Sequence, residues 1–219
     1  MTRIPTFAVA GSLLVAAACG YDITTAETQA SGAVATHHAP GLAFATGTTF
    51  AIVSALGVVT DDPASAGTAA APGLVSAVAS DLEARGFAKA ADVDPGAPPA
   101  VPVAADLVVN LTALEAAQGT GAYWEASAGH FAPAVFGFPD AAWAYGWPAW
   151  APLPAMPGTV LVELGDLRPG VGDTLTVIWA AQLVDVKAEG SAGFDSAAAL
   201  DALAQAFAQS PYLDAGGTP

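Results

Sequence analysis

Three stretches in the second half of the chain repeat apolar residues with a period of two, and this pattern constrains the fold more than any other feature. They are residues 105–114, 159–164 and 173–186. A period of two places successive side chains on opposite faces of a β-strand, so each stretch predicts a strand with a buried face. Residues 165–173, rich in Gly, Pro and Asp, predict a hairpin loop. Because both faces of the last stretch are apolar, we expect that strand to lie inside the sheet.

A helix with well-marked ends precedes these strands. Pro72 suits the first helical turn, and Gly86 suits the left-handed residue just past the last turn. With Gly86 in that position, Phe87 would pack back on Leu82, as a Schellman closure requires. The apolar face recurs at helical spacing in Leu74, Val75, Val78 and Leu82.

The order of the elements predicts an α+β fold. Residues 48–54 have the β-branched and aromatic content of a first strand, and residues 194–211 predict a closing helix that Asp195 or Ser196 can cap. The apolar face of that helix is predicted to be Leu200, Leu203 and Phe207. A strand, a helix, several strands and a helix most simply form an antiparallel-rich mixed sheet with two helices packed on one face.

Residues 119–157 combine aromatic residues with Gly and Pro, and they predict a long loop or an extended hairpin. Trp143, Trp147 and Trp150 lie four and three residues apart, but Gly146 and Pro148 oppose a helix that would align them. We therefore expect at least one of the three to be exposed and available to bind a partner. The alternative is that the stretch folds over the sheet and covers the core.

Residues 1–18 have the pattern of an export signal, with the basic Arg3, an apolar run and three alanines directly before Cys19. With a cysteine at the cleavage point, the segment resembles a bacterial lipoprotein signal, which implies that Cys19 is the lipid-attachment residue and becomes the mature N-terminus. The alternative is an ordinary signal peptide with an incidental cysteine. The residues after Cys19 include no acidic inner-membrane retention signal, which favours the outer membrane, with the domain facing the periplasm.

Composition divides the exported chain into three parts. Residues 19–45 hold few large apolar residues and predict a flexible tether, in which His37 and His38 are a solvated pair. Residues 46–212 predict one domain, and residues 213–219 a disordered tail.

The chain is acidic, with 20 Asp and Glu against 5 Lys and Arg and a net charge of −15. A protein with this negative charge repels the phosphates of nucleic acid, so nucleic acid is excluded as a partner. His130 is the sole histidine of the predicted domain, and no serine near it has the context of a nucleophile, so no catalytic residues are assigned. The sequence has no phosphate-cradling glycine motif and no spaced ligand series, so no cofactor and no metal site is expected.

In order along the chain, several short segments match those of one known group of proteins. These are Thr49–Ala51, Leu82–Phe87, Ala105–Val109, Gly158–Leu164 with Asp166, Val177–Trp179 and Phe207–Pro211. Together with the signal, they resemble the bacterial lipoprotein family called domain of unknown function 4136 (DUF4136). The resemblance implies an envelope-anchored domain without an established activity, and it assigns no catalytic residues.

Two functions from different classes follow. The first is a non-catalytic interaction or scaffold domain, anchored to the membrane through its N-terminal lipid and holding an envelope protein or glycan. The second is a module that binds a small ligand or a lipid in an apolar pocket. A third, less favoured alternative is a hydrolase of envelope glycans. A pocket in the structure would favour the second function, and exposed tryptophans over a packed core would favour the first.

Overall fold

A computed structural model describes residues 24–25, 33–38, 42–59, 67–69, 71–94, 103–115, 158–168, 176–186 and 194–216. The strands are β1 (Thr24–Thr25), β2 (Ala33–His38), β3 (Thr49–Val53), β4 (Leu56–Val59), β5 (Gly67–Ala69), β6 (Ala88–Val93), β7 (Leu107–Leu114), β8 (Thr159–Asp166) and β9 (Thr176–Val184). Helix α1 (Pro72–Ala84) lies between β5 and β6, and helix α2 (Ser196–Ala208) follows β9. The predicted α+β class is confirmed.

The described strands form one mixed sheet of nine strands in the order β1-β2-β9-β8-β7-β3-β6, with β4 beside β7 and β5 beside β4. In this spatial order, each strand from β1 to β7 pairs antiparallel with the next (β1, β2, β9, β8, β7). Strand β3 is parallel to both of its neighbours, β7 and β6. The antiparallel-rich sheet and the internal position of β9 are therefore as predicted. Antiparallel strands need only short connections, whereas the parallel pair β3 and β6 is joined through α1.

Both helices pack on one face of the sheet, as predicted. Apolar residues of α1, α2 and alternate positions of β7, β8 and β9 form a single large core there. Leu107, Val109 and Leu111 supply the β7 contribution. The intervening positions of β7 are also buried, although the sequence predicted one buried face. Asn110 and Thr112 are among them, so β7 carries polar side chains inside the protein.

The C-terminus of α1 has the predicted Schellman closure. Gly86 has φ of 86°, the Phe87 N–H donates to the Leu82 carbonyl at 3.2 Å, and the Gly86 N–H donates to the Glu83 carbonyl at 3.0 Å. Phe87 and Leu82 are both buried in the main core. The closure turns the chain directly into β6, which places that strand beside β3.

The start of α2 is as predicted, but its buried face is not. The Asp195 carboxylate caps the helix by accepting from the N–H groups of Ala197 and Ala198 at 2.9 and 3.1 Å. Leu203 and Phe207 are buried, whereas Leu200 is 37% exposed, so its assignment to the core is wrong. The buried stripe consists of Ala199, Ala202, Leu203, Ala206 and Phe207. These alanines lie in the main core together with Leu203 and Phe207.

The described fold extends beyond both predicted limits of the domain. The flexible-tether prediction for residues 19–45 is wrong at Ala33–His38, because this segment is β2 and pairs antiparallel with β9. The disordered-tail prediction is wrong at residues 213–216, since Leu213 is fully buried and the Ala215 N–H donates to the Arg85 carbonyl at 2.8 Å. Both segments gain backbone hydrogen bonds and apolar contacts that composition does not reveal.

Candidate functional site

A cavity of about 250 Å³ lies between the first turns of α1 and α2, above β4 and β8. Its walls are aliphatic, apart from Phe194 and the polar Ser196. The apolar lining includes Leu56, Leu74, Val160, Ala199 and Leu200. A concave apolar site with few polar groups is the usual form of a small-molecule pocket.

Small residues at the two helix starts leave the space open. Ala71, Pro72 and Gly73 line the cavity from α1, and Ala199 lines it from α2. A Cβ built on Gly73 meets no atom within 4 Å, so the backbone borders open space at that position. A larger residue at Ala199, which is buried, would fill the cavity from α2.

The two helix starts are capped differently. The Asp195 carboxylate satisfies two N–H groups at the start of α2. Helix α1 has no side-chain cap at Ala71, and Pro72 at its first position has no N–H. An uncapped helix start is compatible with an oxygen atom placed near the first-turn amides.

The rim of the cavity includes an exposed apolar side chain. Leu200 both lines the cavity and is exposed, and it is the exposed large hydrophobic residue among the described positions. A leucine that is exposed to water does not gain the free energy of burial that the core leucines gain. The misassigned Leu200 of the sequence analysis is thus part of this candidate site.

A second group of polar residues lies on the sheet face opposite the helices. The Asn110 Nδ2 donates to the Glu163 Oε2 and to the Thr112 Oγ1, each at 3.1 Å. Asn110 and Glu163 stand directly opposite each other on β7 and β8, and Glu163 is only 1% exposed. Because a buried carboxylate needs hydrogen-bond donors, Asn110 stabilises the sheet at this register.

His37 lies on β2, and it is 3% exposed. The prediction of a solvated histidine pair is therefore wrong for this residue. Burial lowers the pKa of His37, and the neighbouring His38 lowers it further. The ring of His38 lies 3.9 Å from the ring of Tyr212, between centroids.

Two charged clusters bind elements of the fold together. The Asp106 Oδ2 accepts from the Thr49 N–H and the Thr49 Oγ1, each at 2.8 Å, which joins β7 to β3. At the same end of the sheet, the Asp166 carboxylate accepts two hydrogen bonds from the Arg168 guanidinium at 2.8 and 2.6 Å. This hydrogen bonding to Asp166 raises the pKa of Arg168 above its usual value. Both acidic groups are engaged within the fold.

The site residues predicted from sequence lie outside the described residues. These are Cys19 and the three tryptophans Trp143, Trp147 and Trp150. The aromatic stretch 119–157 also lies outside them. Sequence reasoning did not identify the cavity, because its walls come from four separate elements and its lining residues are common core types.

The described part of the chain contains no group of three or more His, Cys, Asp or Glu side chains arranged to hold a metal ion. No helix in the described ranges has both the length and the apolar character needed to cross a membrane.

The fold is that of a known class of α+β domain. It is similar to the crystal structure of a DUF4136 family protein from Bacteroides thetaiotaomicron, with a TM-score of 0.62 and 20% sequence identity. That alignment covers 85% of this chain and 99% of the other. At this identity, the likeness shows a shared fold.

Two further structures align with lower scores. Both are PelC dodecamers from Paraburkholderia phytofirmans, each 20% identical to this chain, with TM-scores of 0.38 and 0.37. The alignments cover 84% and 80% of this chain, and 99% and 96% of the PelC chains. No protein-family model matches the chain, and no curated protein matches it.

Proposed function

We propose that this protein is a DUF4136-type lipoprotein of the bacterial cell envelope, whose domain binds another envelope component without catalysing a reaction. The observation that carries the proposal is the pairing of a cysteine-terminated export signal with a DUF4136-like fold. The signal predicts export to the cell envelope, and the fold is similar to that of a protein from the family that the sequence segments resemble. The lipid on Cys19 anchors the domain to the outer membrane, where it faces the periplasm.

Binding rather than catalysis agrees with the use of the charged groups. The Asp106 carboxylate holds Thr49, and the Asp166 carboxylate holds Arg168. The Arg85 guanidinium donates to three carbonyl oxygens near the end of α2. Groups bound in this way stabilise the fold and are poorly available for proton transfer or nucleophilic attack.

Fractionation of cells that produce the full chain tests the anchor. The wild-type protein is expected in the outer-membrane fraction, and Cys19→Ala is expected in the soluble fraction. Ala18→Gly keeps a small residue before Cys19 and should remain with the membrane, which makes it the matched control. An unmodified Cys19 in the intact mass of the native protein would contradict the proposal.

Partner capture tests the interaction role of the aromatic stretch. Crosslinking in intact cells is expected to join the wild-type protein to a specific envelope protein or glycan. Alanine in place of Trp143, Trp147 or Trp150 should weaken that crosslink in at least one variant while the circular dichroism spectrum is unchanged. If all three variants unfold, or if all three crosslink as the wild type does, the tryptophans are not the binding surface.

A second function, the binding of a small apolar ligand, is favoured by the cavity between α1 and α2. It is compatible with the lipid anchor, because an anchored domain remains close to membrane lipids. The two functions differ in the residues they use, since the cavity is lined by residues of the helices and the sheet.

A further inference from the structure

We propose that the cavity between α1 and α2 binds an unbranched aliphatic chain of about ten carbons, or the end of a longer acyl chain, which enters past Leu200. The inference rests on the second function proposed above and names its ligand class. Three observations support it: the size of the cavity, the chemistry of its walls and the character of its rim.

The size fits a chain of moderate length. An apolar protein cavity of about 150 Å³ accommodates benzene, which has six carbons. In proportion, the 250 Å³ cavity accommodates about ten carbons. This volume is too small for an intact phospholipid, so a longer lipid would insert only the end of one chain.

The lining side chains favour a hydrocarbon chain. Ser196 is the one polar side chain among the lining residues, and the other polar surface comes from the backbone at the two helix starts. Ser196 is itself exposed, so its hydroxyl has access to bulk solvent. Leu74, Val160 and Ala199 present aliphatic surface that gains free energy when an alkyl chain displaces solvent from it.

The rim provides an entry path for the alkyl chain. Leu200 is exposed on α2 and also lines the cavity, so apolar surface continues from the outside to the interior. A continuous apolar path allows a chain to enter end first, while its polar head stays in water. A head-group oxygen would lie near the start of α1, which has no side-chain cap.

The test is a chain-length series measured on the full chain carrying Cys19→Ala, so that no detergent competes for the cavity. Hexanol, octanol, decanol and dodecanol are titrated, and binding is followed through the methyl NMR signals of Leu74, Ala199 and Leu200. Affinity is expected to rise about fourfold for each added methylene up to about ten carbons and then to level off. Affinity that still rises at the same rate to dodecanol would indicate binding to an open surface and would overturn the proposal.

Two substitutions that fill the cavity, and one control, locate the binding. Ala199→Phe adds bulk from α2, and Ala71→Leu adds it from the start of α1, where Ala71 lines the cavity and packs partly buried against the core. Both should abolish decanol binding. Ala204→Phe makes the same change as Ala199→Phe at an exposed position of α2 and should leave binding unchanged. Should Ala199→Phe fail to fold, Ala71→Leu still decides the result.

A naphthalene titration separates this inference from the wider proposal. Decanol and naphthalene each contain ten carbons, so the pair tests shape: tighter binding of decanol supports the alkyl-chain site, and equal affinities for the two would overturn the assignment to an unbranched chain. Naphthalene binding without decanol binding would keep a ligand-binding role and overturn the ligand class assigned here. Binding of neither probe would overturn both, while the membrane anchor and the partner-binding role would still rest on fractionation and crosslinking.

Discussion

The Arg85 guanidinium donates to the carbonyl oxygen of Phe207 at 2.6 Å and lies 5.4 Å from the centroid of the Phe207 ring. The same side chain donates to the carbonyls of Ser210 and Leu213, each at 3.1 Å. The Phe207 and Ser210 carbonyls also accept the backbone N–H groups of Ser210 and Leu213, each at 3.0 Å, so Arg85 adds a charged donor to the turn that follows α2. One cation thus joins the C-terminal ends of both helices.

Arg85→Ala is expected to lower the free energy of unfolding by about 2–4 kcal/mol, since three hydrogen bonds from a charged donor and the contact with the Phe207 ring are lost. Urea unfolding followed by circular dichroism measures the change. Lys89→Ala is the control, because Lys89 pairs with Asp92 at 2.8 Å on an exposed surface and its removal should change stability by less than about 1 kcal/mol. Equal unfolding midpoints for Arg85→Ala and the wild type would contradict the assigned role.

Gly86→Ala is expected to lower the free energy of unfolding by about 1–2 kcal/mol, because φ of 86° is unfavourable for a residue with a Cβ. The new Cβ would also lie 3.1 Å from the Ala215 carbonyl oxygen. Gly73→Ala makes the same chemical change in helix α1, where a Cβ meets nothing within 4 Å, and it should be neutral or slightly stabilising. Thermal unfolding of both variants is the measurement, and equal losses would refute the distinction.

Asp106→Ala is expected to destabilise the fold by about 1–3 kcal/mol, because the Thr49 N–H and the Thr49 hydroxyl both lose their acceptor. The loss should be concentrated at the pairing of β3 with β7. Hydrogen exchange at the Thr49 amide is therefore expected to accelerate more than exchange at the Val162 amide, which lies on β8. A uniform change across the sheet would indicate that Asp106 does not act locally.

His37 should make stability depend on pH. Its pKa in the folded protein lies below the ordinary value of 6.5, so the unfolded chain takes up a proton first as the pH falls. The stabilisation is complete above about pH 6.5 and is lost as the pH falls toward the pKa of the folded state. The free energy of unfolding is thus expected to decrease between about pH 7.5 and pH 5.5.

His37→Gln should flatten this dependence, and His38→Gln should retain most of it, since burial is the larger cause of the shift. Urea midpoints across the pH range provide the measurement. An unchanged slope in His37→Gln would show that other groups are responsible.

Local signals in the sequence were sufficient for several elements. Gly86 after Arg85 predicted the end of α1, and Asp195 predicted the start of α2, because caps depend on residues only a few positions apart. The period of two predicted β7, β8 and β9, whose inward faces are rich in large apolar residues. These features need no knowledge of distant partners.

Other elements depend on their neighbours in space. Strand β6 has the sequence AKAADV, in which Ala, Lys and Asp disfavour a strand, yet it pairs with β3 because α1 returns the chain to that edge. Strand β2 lies in a segment whose composition resembles a linker, and its backbone hydrogen bonds come from β9. Pairing with a distant strand supplies what the local sequence lacks.

The sequence by itself determined the class of fold, both ends of α1 and the start of α2, because each depends on short-range spacing or on the type of residue. Tertiary structure alone decided the rotation of α2 that exposes Leu200, the burial of His37 and Glu163, and the cavity between the helix starts. Burial and cavity shape arise from the packing of elements that are distant in the chain. Contacts of that kind have no fixed spacing in a sequence, so only the folded structure contains them.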